Sequence, residues 1–187
     1  MPHLLAITGS PSAHSRTAVV ADHVLRRLSH SGFETAHLSV RELPAADLLA
    51  ARRGEPEIRR ALEAVAEADG LVIATPVYKA SYTGLLKAFL DLLPQDGLDG
   101  KTVLPLATGG SLAHVLTIDY ALRPVLAARH VTAGRFVLDS SVERGAGPDR
   151  LRPEAELDLY QAVDEFAAAL RSAPAAAVTA AALTTTP

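Results

Sequence analysis

The feature that most constrains this chain is a regular alternation of short apolar runs with amphipathic helical segments. His3 to Thr8 is nearly continuously apolar and ends at Gly9, a pattern typical of a strand buried on both faces. From Ser15 to Ser31 the apolar residues instead recur every third or fourth position, which predicts a helix that ends at Gly32. The chain therefore begins with a strand followed by a helix that packs on it.

The same alternation continues along the rest of the chain. Strands are predicted at 34–40, 70–75, 101–108 and 130–138, and helices at 56–69, 83–93, 111–129 and 153–171, with a weaker helical segment after Pro44. Strands that alternate with helices form a parallel sheet with helices on both faces. Five such strands suit an α/β, flavodoxin-like three-layer sandwich of strand order 2-1-3-4-5. Pro105 lies within the fourth, interior strand, where its missing N–H predicts a bulge.

Length and composition limit both the number of domains and the chemistry. The chain has 187 residues, enough for one domain, which we predict over residues 1–171. Residues 172–187 are an uncharged segment, mostly Ala, Thr and Pro, and are predicted to form a disordered tail. The chain has no cysteine, which excludes disulfides, a thiolate nucleophile and thiolate metal sites. Redox chemistry would therefore need a bound cofactor.

Charge and hydropathy exclude several classes of partner. The 18 basic and 21 acidic residues give a net charge of −3, and the basic residues do not form the stripe typical of nucleic-acid-binding domains. No uncharged apolar stretch approaches the roughly 20 residues that a membrane helix requires. The first ten residues lack the basic region of a signal peptide. We therefore expect a cytoplasmic enzyme or binding module with no nucleic-acid or membrane partner.

The loop after the first strand has the composition of an anion site. It leads directly into a helix and contains four hydroxyls and a guanidinium, those of Ser10, Ser12, Ser15, Thr17 and Arg16. Backbone N–H groups at a helix N-terminus bind phosphate, and these side chains add further donors. A turn with an N-cap serine would explain Gly9, Pro11 and Ser15 but not the other hydroxyls and the arginine together. The loop matches neither the G-x-G-x-x-G nor the P-loop pattern, so the sequence favours a phosphate monoester.

Two further loops are expected at the same edge of the sheet, because ligands bind outside the carboxyl ends of parallel strands. The loop after the third strand carries Tyr78 and Tyr82 beside a rigid proline. The loop after the fourth carries Gly109 and Gly110, where backbone approaches another group closely. Tyrosine packing on nearby helices would explain the first loop taken alone, and an ordinary helix entry would explain one glycine. Taken together with the phosphate loop, the two loops describe a flavin mononucleotide pocket.

Four separated segments resemble, in order, the NADPH-dependent FMN reductases of two-component sulfonate monooxygenase systems. They are GSPSAHSRT, TPVYKASYTGLLKAFLDLLP, KTVLPLATGGSLAH and DYALRPVL, and the likeness spans about Leu4 to Leu126. The resemblance implies a flavodoxin-like fold, FMN and NADPH as cofactors, and delivery of FMNH2 to a partner monooxygenase. Many members of the family carry arginine where this chain has Ser12, which removes one phosphate contact.

The resemblance also implies roles for individual residues. It implies that the FMN phosphate is held by Ser10, Ser15, Arg16 and Thr17. The isoalloxazine ring would lie between two sets of residues, Pro76, Val77, Tyr78 and Lys79 on one side and Thr108, Gly109, Gly110 and Ser111 on the other. Hydride would pass directly from the nicotinamide to the flavin, so no catalytic base and no metal are expected.

Two helices are predicted to lie between subunits. Segment 83–93 is apolar around most of its circumference, which predicts burial on two sides and hence a homo-oligomer, dimer or tetramer. In segment 111–129, Pro124 leaves the Tyr120 carbonyl without its helical donor, a place where a helix relaxes into a π-bulge. The resemblance implies an oligomer contact at this point with Tyr120 inserted across it. A simple kink with Tyr120 in the core is the alternative.

Other functions are compatible with the same residues. A flavodoxin-like reductase that retains its FMN would reduce quinones, azo dyes or metal oxyanions by the same hydride step. A non-enzymatic flavodoxin would carry electrons, but such carriers tend towards a strongly acidic surface that a net charge of −3 does not supply. A phosphate-ligand binder without flavin is a third alternative. The sequence favours the flavin reductase, and the choice of NADPH over NADH comes from the resemblance alone.

Overall fold

The centre of the molecule is a parallel sheet, described here from a computed structural model that covers residues 1–126, 130–145 and 148–172. Its strands are β1 His3–Thr8, β2 Glu34–Ser39, β3 Gly70–Pro76, β4 Thr102–Gly109, β5 His130–Val131 and β6 Arg135–Leu138. They follow the order β2-β1-β3-β4, and β5 and β6 both pair with β4 on its far side. The predicted order 2-1-3-4-5 is therefore confirmed, with the fifth strand divided in two.

Helices cover both faces of the sheet. They are α1 Arg16–His30, α2 Ala45–Leu49, α3 Pro56–Glu67, α4 Gly84–Leu90, α5 Arg123–Leu126 and α6 Pro153–Ser172. Leu4 and Ala6 of β1 pack in the core under α1 and α6, whereas Leu5 and Ile7 pack in the opposite core under α3, α4 and α5. Because successive strand residues face opposite cores, both sets must be apolar, and this produces the continuous apolar runs of the sequence.

Several smaller elements complete the described residues. The 3₁₀ turn Val40–Glu42 follows β2, and a short antiparallel pair joins β7 Val142–Glu143 to β8 Arg150–Leu151. Strands of two residues carry no usable periodicity, so the sequence did not predict this pair. The predicted disordered tail lies outside the described residues, apart from Ser172 at the end of α6. None of the helices described is both long enough and apolar enough to cross a membrane.

The segment after β4 departs from the single helix predicted at 111–129. It forms a 3₁₀ turn at Leu112–His114, a π-helical turn at Ile118–Leu122 and then α5, and residues 127–129 lie outside the described range. The N–H of Arg123 donates to the Ile118 carbonyl, five residues back, as π-helical bonding requires. The predicted π-bulge is therefore confirmed. Tyr120 is 79% exposed, so the alternative that placed it in the core is wrong.

Pro105 disturbs the neighbouring strand and not its own. Its pairing with Ile73 belongs to an unbroken register between β3 and β4, so the bulge predicted in this strand is absent. The Thr132 N–H donates to the Val103 carbonyl, so the backbone polar groups of Val103 point towards the fifth strand. Backbone groups point the same way at every second residue of a strand, and Pro105 is two residues after Val103. The missing N–H of Pro105 therefore faces residues 132–134, where pairing stops between β5 and β6. The break in the fifth strand is the physical consequence of the proline.

Gly134 allows the chain to pass this proline closely, and its replacement supplies a test. A Cβ at this position would lie 2.6 Å from the Pro105 carbonyl oxygen, a backbone atom that cannot turn away. We expect Gly134→Ala to lower the free energy of unfolding by about 1–3 kcal/mol, the usual cost of overpacking. The measurement is the urea unfolding midpoint. Gly54→Ala is the matched control, because a Cβ there meets nothing within 4 Å. Equal stability of the two variants would contradict the account of the break.

Candidate functional site

The loops after β1, β3 and β4 lie side by side at one edge of the sheet. The Gly9 N–H donates to the Ala74 carbonyl at 2.9 Å, and the Val77 N–H donates to the Thr108 carbonyl at 2.8 Å. These bonds continue the sheet into the loops, so the residues predicted from three separate parts of the sequence come together. The arrangement has the geometry of the ligand-binding crevice of a doubly wound sheet.

Serine hydroxyls fold the loop after β1 into a compact turn. Ser15 is the N-cap of α1 and accepts from the Ala18 N–H at 3.0 Å. The hydroxyl of Ser10 accepts from the Ser12 N–H at 3.3 Å, and that of Ser12 accepts from the His14 N–H at 3.2 Å. A hydroxyl that accepts from backbone still carries its own hydrogen for donation. The loop therefore offers several O–H donors beside the N-terminus of a fifteen-residue helix, which fits a phosphate group.

Arg16 lies at the mouth of this loop. Its side chain is 48% exposed, and its Nη1 atom lies 4.0 Å from Oδ2 of Asp139, which directly follows β6. So long a contact between exposed groups contributes little stability. The guanidinium can therefore leave Asp139 and close on an anion at small cost. Sequence reasoning did not single out Asp139, although its place after the last sheet strand is the available signal.

Thr17 lies in the first turn of α1. It is almost fully buried, and its hydroxyl forms a 2.7 Å hydrogen bond with the hydroxyl of Thr108, which is also buried. The two threonines thus connect the start of α1 to the end of β4. Both were predicted to touch the ligand, and this remains a prediction; in the structure their side chains join the two loops. The loop hydroxyls outside this pair are those of Ser10, Ser12 and Ser15, which lie close to Arg16 at the start of α1.

The hydroxyl of Thr83, the N-cap of α4, connects the first and third loops. It donates to the Gly9 carbonyl and accepts from the Leu86 N–H at 3.1 Å, while the Thr83 N–H donates to Oγ1 of Thr75 at 3.1 Å. The α4 helix also approaches Gly9 so closely that a Cβ there would lie 2.5 Å from Cβ of Leu86. Gly9 is therefore required by packing as well as by the turn.

The third loop forms an open shelf at the edge of the sheet. Pro76 and Val77 are partly buried, and Tyr78 pairs with Ser81 to form a hairpin whose two central residues are Lys79 and Ala80. The φ angles of these two residues are 51° and 59°, a left-handed conformation that favours glycine or asparagine. Such strain persists where the surrounding structure enforces it, and it is often found at ligand sites. Here it turns Lys79 outwards at the edge of the shelf.

The two glycines of the fourth loop have different roles. A Cβ on Gly109 would lie 2.9 Å from Cζ of Phe136, so this glycine makes room for packing under β6. A Cβ on Gly110 would meet only Asp139, at 3.9 Å, so this glycine leaves open space at the crevice. Ser111 follows as an exposed residue whose hydroxyl accepts from the Ala113 N–H. The fourth loop therefore leaves open space beside the shelf, which suits a planar ring.

Arg144 was also missed by sequence reasoning. It extends from the β7–β8 segment, and its Nη2 donates to the His14 carbonyl at 2.6 Å, which holds the phosphate loop from the outside. No local pattern places Arg144 near residue 14, because the contact depends on how the chain returns after the fifth strand. Within the described residues, no group of three or more His, Cys, Asp or Glu side chains is arranged to hold a metal ion.

Comparison with known proteins assigns the family. Residues 2–142 match the family described as NADPH-dependent FMN reductase. The chain belongs to this family. It is 44% identical over 176 residues to an FMN reductase (NADPH) of Pseudomonas putida, covering 91% of this chain and 89% of that protein. It is 40% identical over 170 residues to an FMN reductase (NADPH) of Escherichia coli, covering 89% of each.

A solved structure gives the same result for the fold. The apo form of the NADH:FMN oxidoreductase EMOB superimposes with a TM-score of 0.83 at 43% identity, covering 93% of this chain and 92% of that one. Family membership confirms the enzyme class that the resemblance implied, an NADPH-dependent flavin oxidoreductase with FMN and NAD(P)H as cofactors. Since related proteins are named for NADPH and for NADH, the family does not determine which nucleotide this chain prefers.

Replacing Arg16 tests the phosphate loop. We expect Arg16→Ala to raise the KM for FMN about tenfold. This is the loss of affinity expected when one charge-assisted hydrogen bond at an accessible site is removed. The KM for riboflavin, which lacks the phosphate, should change much less. Both constants come from initial rates of NADPH oxidation. Arg26→Ala is the matched control, because it removes an exposed positive charge from the same helix away from the loop. Equal effects of Arg16→Ala on the two flavins would contradict a phosphate contact.

Proposed function

We propose that this protein reduces FMN with a nicotinamide nucleotide and releases FMNH2 to a partner monooxygenase, of the kind that desulfonates organic sulfonates. The observation that carries the proposal is the pairing of a donor-rich phosphate loop with an open shelf at one edge of the sheet. The serine and arginine donors hold the charged end of the flavin, and the shelf leaves its ring accessible. A ligand held chiefly by its phosphate is able to exchange, as a flavin that serves as substrate must.

The residues of the shelf act by position and not by proton transfer. When bound, FMN supplies the chemistry, because its ring accepts a hydride from the nicotinamide. Pro76, Val77 and Tyr78 support one side of the ring, and Thr108, Gly109, Gly110 and Ser111 border the other. Lys79 supplies a positive charge at the shelf edge. Alignment of two stacked rings needs this rigid support, and small displacements of reacting groups are costly in rate.

We also propose that the protein is a homo-oligomer, a dimer or tetramer, assembled through segments 83–93 and 111–129. The second segment carries an exposed apolar patch, which we call the π-helix patch: Leu112, Val115, Leu116 and Tyr120. These residues are 45–79% exposed and lie close together in the chain, between the start of the 3₁₀ turn and the π-helical turn. Contiguous exposed apolar residues of this kind typically mark a protein interface. Leu85 and Leu93, on or just beyond α4, are only partly buried, which leaves apolar surface for a subunit contact there as well.

The domain organisation and the cellular location that we propose agree with this function. One flavodoxin-like domain over residues 1–171 accounts for the whole sheet and both helical layers. A cytoplasmic location suits an enzyme that consumes a nicotinamide nucleotide and transfers an oxygen-sensitive reduced flavin to a partner.

An NADPH oxidation assay with flavin-depleted protein tests the proposed reaction. We expect oxidation only when FMN is added, with rates that depend on both concentrations, because the flavin is a substrate. The alternative, a reductase that retains its FMN, predicts a yellow protein that reduces quinones, azo dyes or metal oxyanions and does not turn over free FMN. That outcome would reject flavin release while retaining the fold and the phosphate site.

Replacing Tyr120 tests the proposed assembly. We expect Tyr120→Ala to shift the protein to a smaller species in size-exclusion chromatography with light scattering, because the side chain is the most exposed of the π-helix patch. Leu157→Ala is the matched control: Leu157 is 74% exposed but lies on α6. A native protein that is monomeric, or an unchanged mass of the Tyr120 variant, would contradict the proposed contact.

A further inference from the structure

A large cavity among the described residues lies away from the flavin shelf. Its volume is about 650 Å³, and it lies on the other side of the phosphate loop, between β2, the turn after β2 and α3. It adjoins the same serines that hold the phosphate, since Ser10, Ser12 and Ser15 are part of its lining. None of the shelf residues 76–79 or 108–111 lines it. FMN that extends from the loop onto the shelf would therefore place its phosphate at the serine end of this cavity and leave the part between β2 and α3 free.

The floor of the cavity is apolar and built from small residues. Ala36 and Leu38 of β2 face Ala61 and Ala64 of α3 across it, with Leu5 beneath. Because these alanine side chains are short, the space between the strand and the helix stays unfilled where larger side chains would occupy it. The result is a slot with two apolar walls, which suits a flat apolar group such as a purine ring.

The rim of the cavity carries two arginines. Arg41 follows the end of β2 by two residues, and Arg60 lies on α3 with its Nε donating to the Pro56 carbonyl. Glu42 and Glu57 also line the rim, and Nη1 of Arg41 donates to Oε1 of Glu42 at 3.0 Å. This ion pair is exposed and joins adjacent residues, so it is weak and Arg41 is able to turn into the cavity. Arg60 forms no ion pair with the residues described.

The place of Arg41 just after the second strand indicates which ligand group it contacts. In the doubly wound sheets that bind dinucleotides through a G-x-G-x-x-G loop, a pattern that this chain lacks, a side chain near the end of the second strand contacts the ribose next to the phosphate loop. An acidic residue there accepts the 2′-hydroxyl of NAD, and an arginine accommodates the 2′-phosphate of NADP. Arg41 occupies this position here, and Arg60 faces the same cavity from α3. Two guanidinium groups suit a phosphate monoester better than a ribose hydroxyl.

We propose that this cavity binds the adenosine half of the nicotinamide nucleotide and that Arg41 and Arg60 bind its 2′-phosphate, which makes NADPH the preferred substrate. This inference rests on the proposed function. A dinucleotide whose nicotinamide stacks over the flavin shelf has a second nucleotide to place, and the cavity lies on the far side of the shared phosphate loop. The alanine slot holds the adenine, and the two arginines distinguish NADPH from NADH.

Binding of 2′,5′-ADP, followed by calorimetry without flavin or turnover, tests the inference. We expect native protein to bind 2′,5′-ADP at least tenfold more tightly than 5′-ADP, which lacks the 2′-phosphate. In the double variant Arg41→Gln, Arg60→Gln this difference should disappear, and the ratio of kcat/KM for NADPH to that for NADH should fall about tenfold or more. Arg59→Gln is the matched control, since Arg59 lies on the same helix, pairs with Glu63 and does not line the cavity.

A second variant tests the slot without changing a charge. Ala64→Phe should fill the cavity and weaken binding of 2′,5′-ADP and 5′-ADP alike, while circular dichroism confirms that the protein is folded. Equal binding of 2′,5′-ADP and 5′-ADP by native protein, or unchanged 2′,5′-ADP binding in the double arginine variant, would overturn the inference.

Failure of this inference is distinguishable from failure of the proposed function. An enzyme that oxidises NADPH with added FMN, but whose 2′,5′-ADP binding is independent of the two arginines, would reject the nucleotide site alone. Arginine-dependent binding of 2′,5′-ADP in a protein that does not reduce FMN would support the site and reject the proposed function.

Discussion

The buried hydroxyl of Thr83 is the interaction on which the geometry of the crevice most depends. It is the N-cap of α4 and simultaneously the donor to the Gly9 carbonyl, while the Thr83 backbone bonds to Thr75. Water cannot replace these partners at a residue that is 3% exposed, and each buried group left without a partner costs about 1–3 kcal/mol. The loops after β1 and β3 are therefore fixed relative to each other before any ligand binds. The buried hydroxyl pair of Thr17 and Thr108 fixes the fourth strand in the same way.

The parts of the fold that the sequence predicted best are those decided by local pattern. β1 has the predicted bounds, and α1 begins directly after Ser15, because a buried strand and an N-cap leave clear local signals. Pro124 likewise predicted the π-helical turn, since a missing N–H affects the carbonyl four residues before it. Pro105 shows the limit of such reasoning. The missing donor was recognised, but the strand that would accommodate it depends on which neighbour the N–H faces.

The candidate site was predicted in outline for the same reason. Ser10, Ser15 and Arg16 lie where the loop pattern placed them, at the start of a helix after a buried strand. Thr17, which was predicted at the ligand as well, shares the buried stripe of α1 with Val20 and Val24. The helical period alone would have placed it towards the core. Asp139 and Arg144, in contrast, reach the loop through the path of the chain after the fifth strand, which no local pattern encodes.

The irregular segment after β4 joins the flavin shelf to the outer surface. Thr117 Oγ1 donates to the Ala80 carbonyl at 3.4 Å, and the π-helical turn begins at the next residue. The strained hairpin of the shelf is thus supported by the segment that carries the π-helix patch. A regular α-helix would have one residue fewer in this turn and would rotate the following side chains relative to the hairpin. In the proposed oligomer, subunit contact and shelf geometry therefore depend on one element.

The two sides of the phosphate loop differ in a way that suits the two ligands proposed for them. In the proposed complex the shelf is open and the polar contacts to FMN are concentrated at the phosphate, so the flavin would gain little from enclosure and would be able to leave. The cavity under β2 has walls on both sides and charged groups at its rim, so it can distinguish nucleotides that differ by one phosphate. To discriminate between NADPH and NADH, an enzyme needs side chains around the 2′-phosphate. A phosphate that remains in water interacts only weakly with the protein, because its charge is screened. Under these proposals, a single loop between the two sides would allow one enzyme to select its reductant strictly while it exchanges its flavin freely.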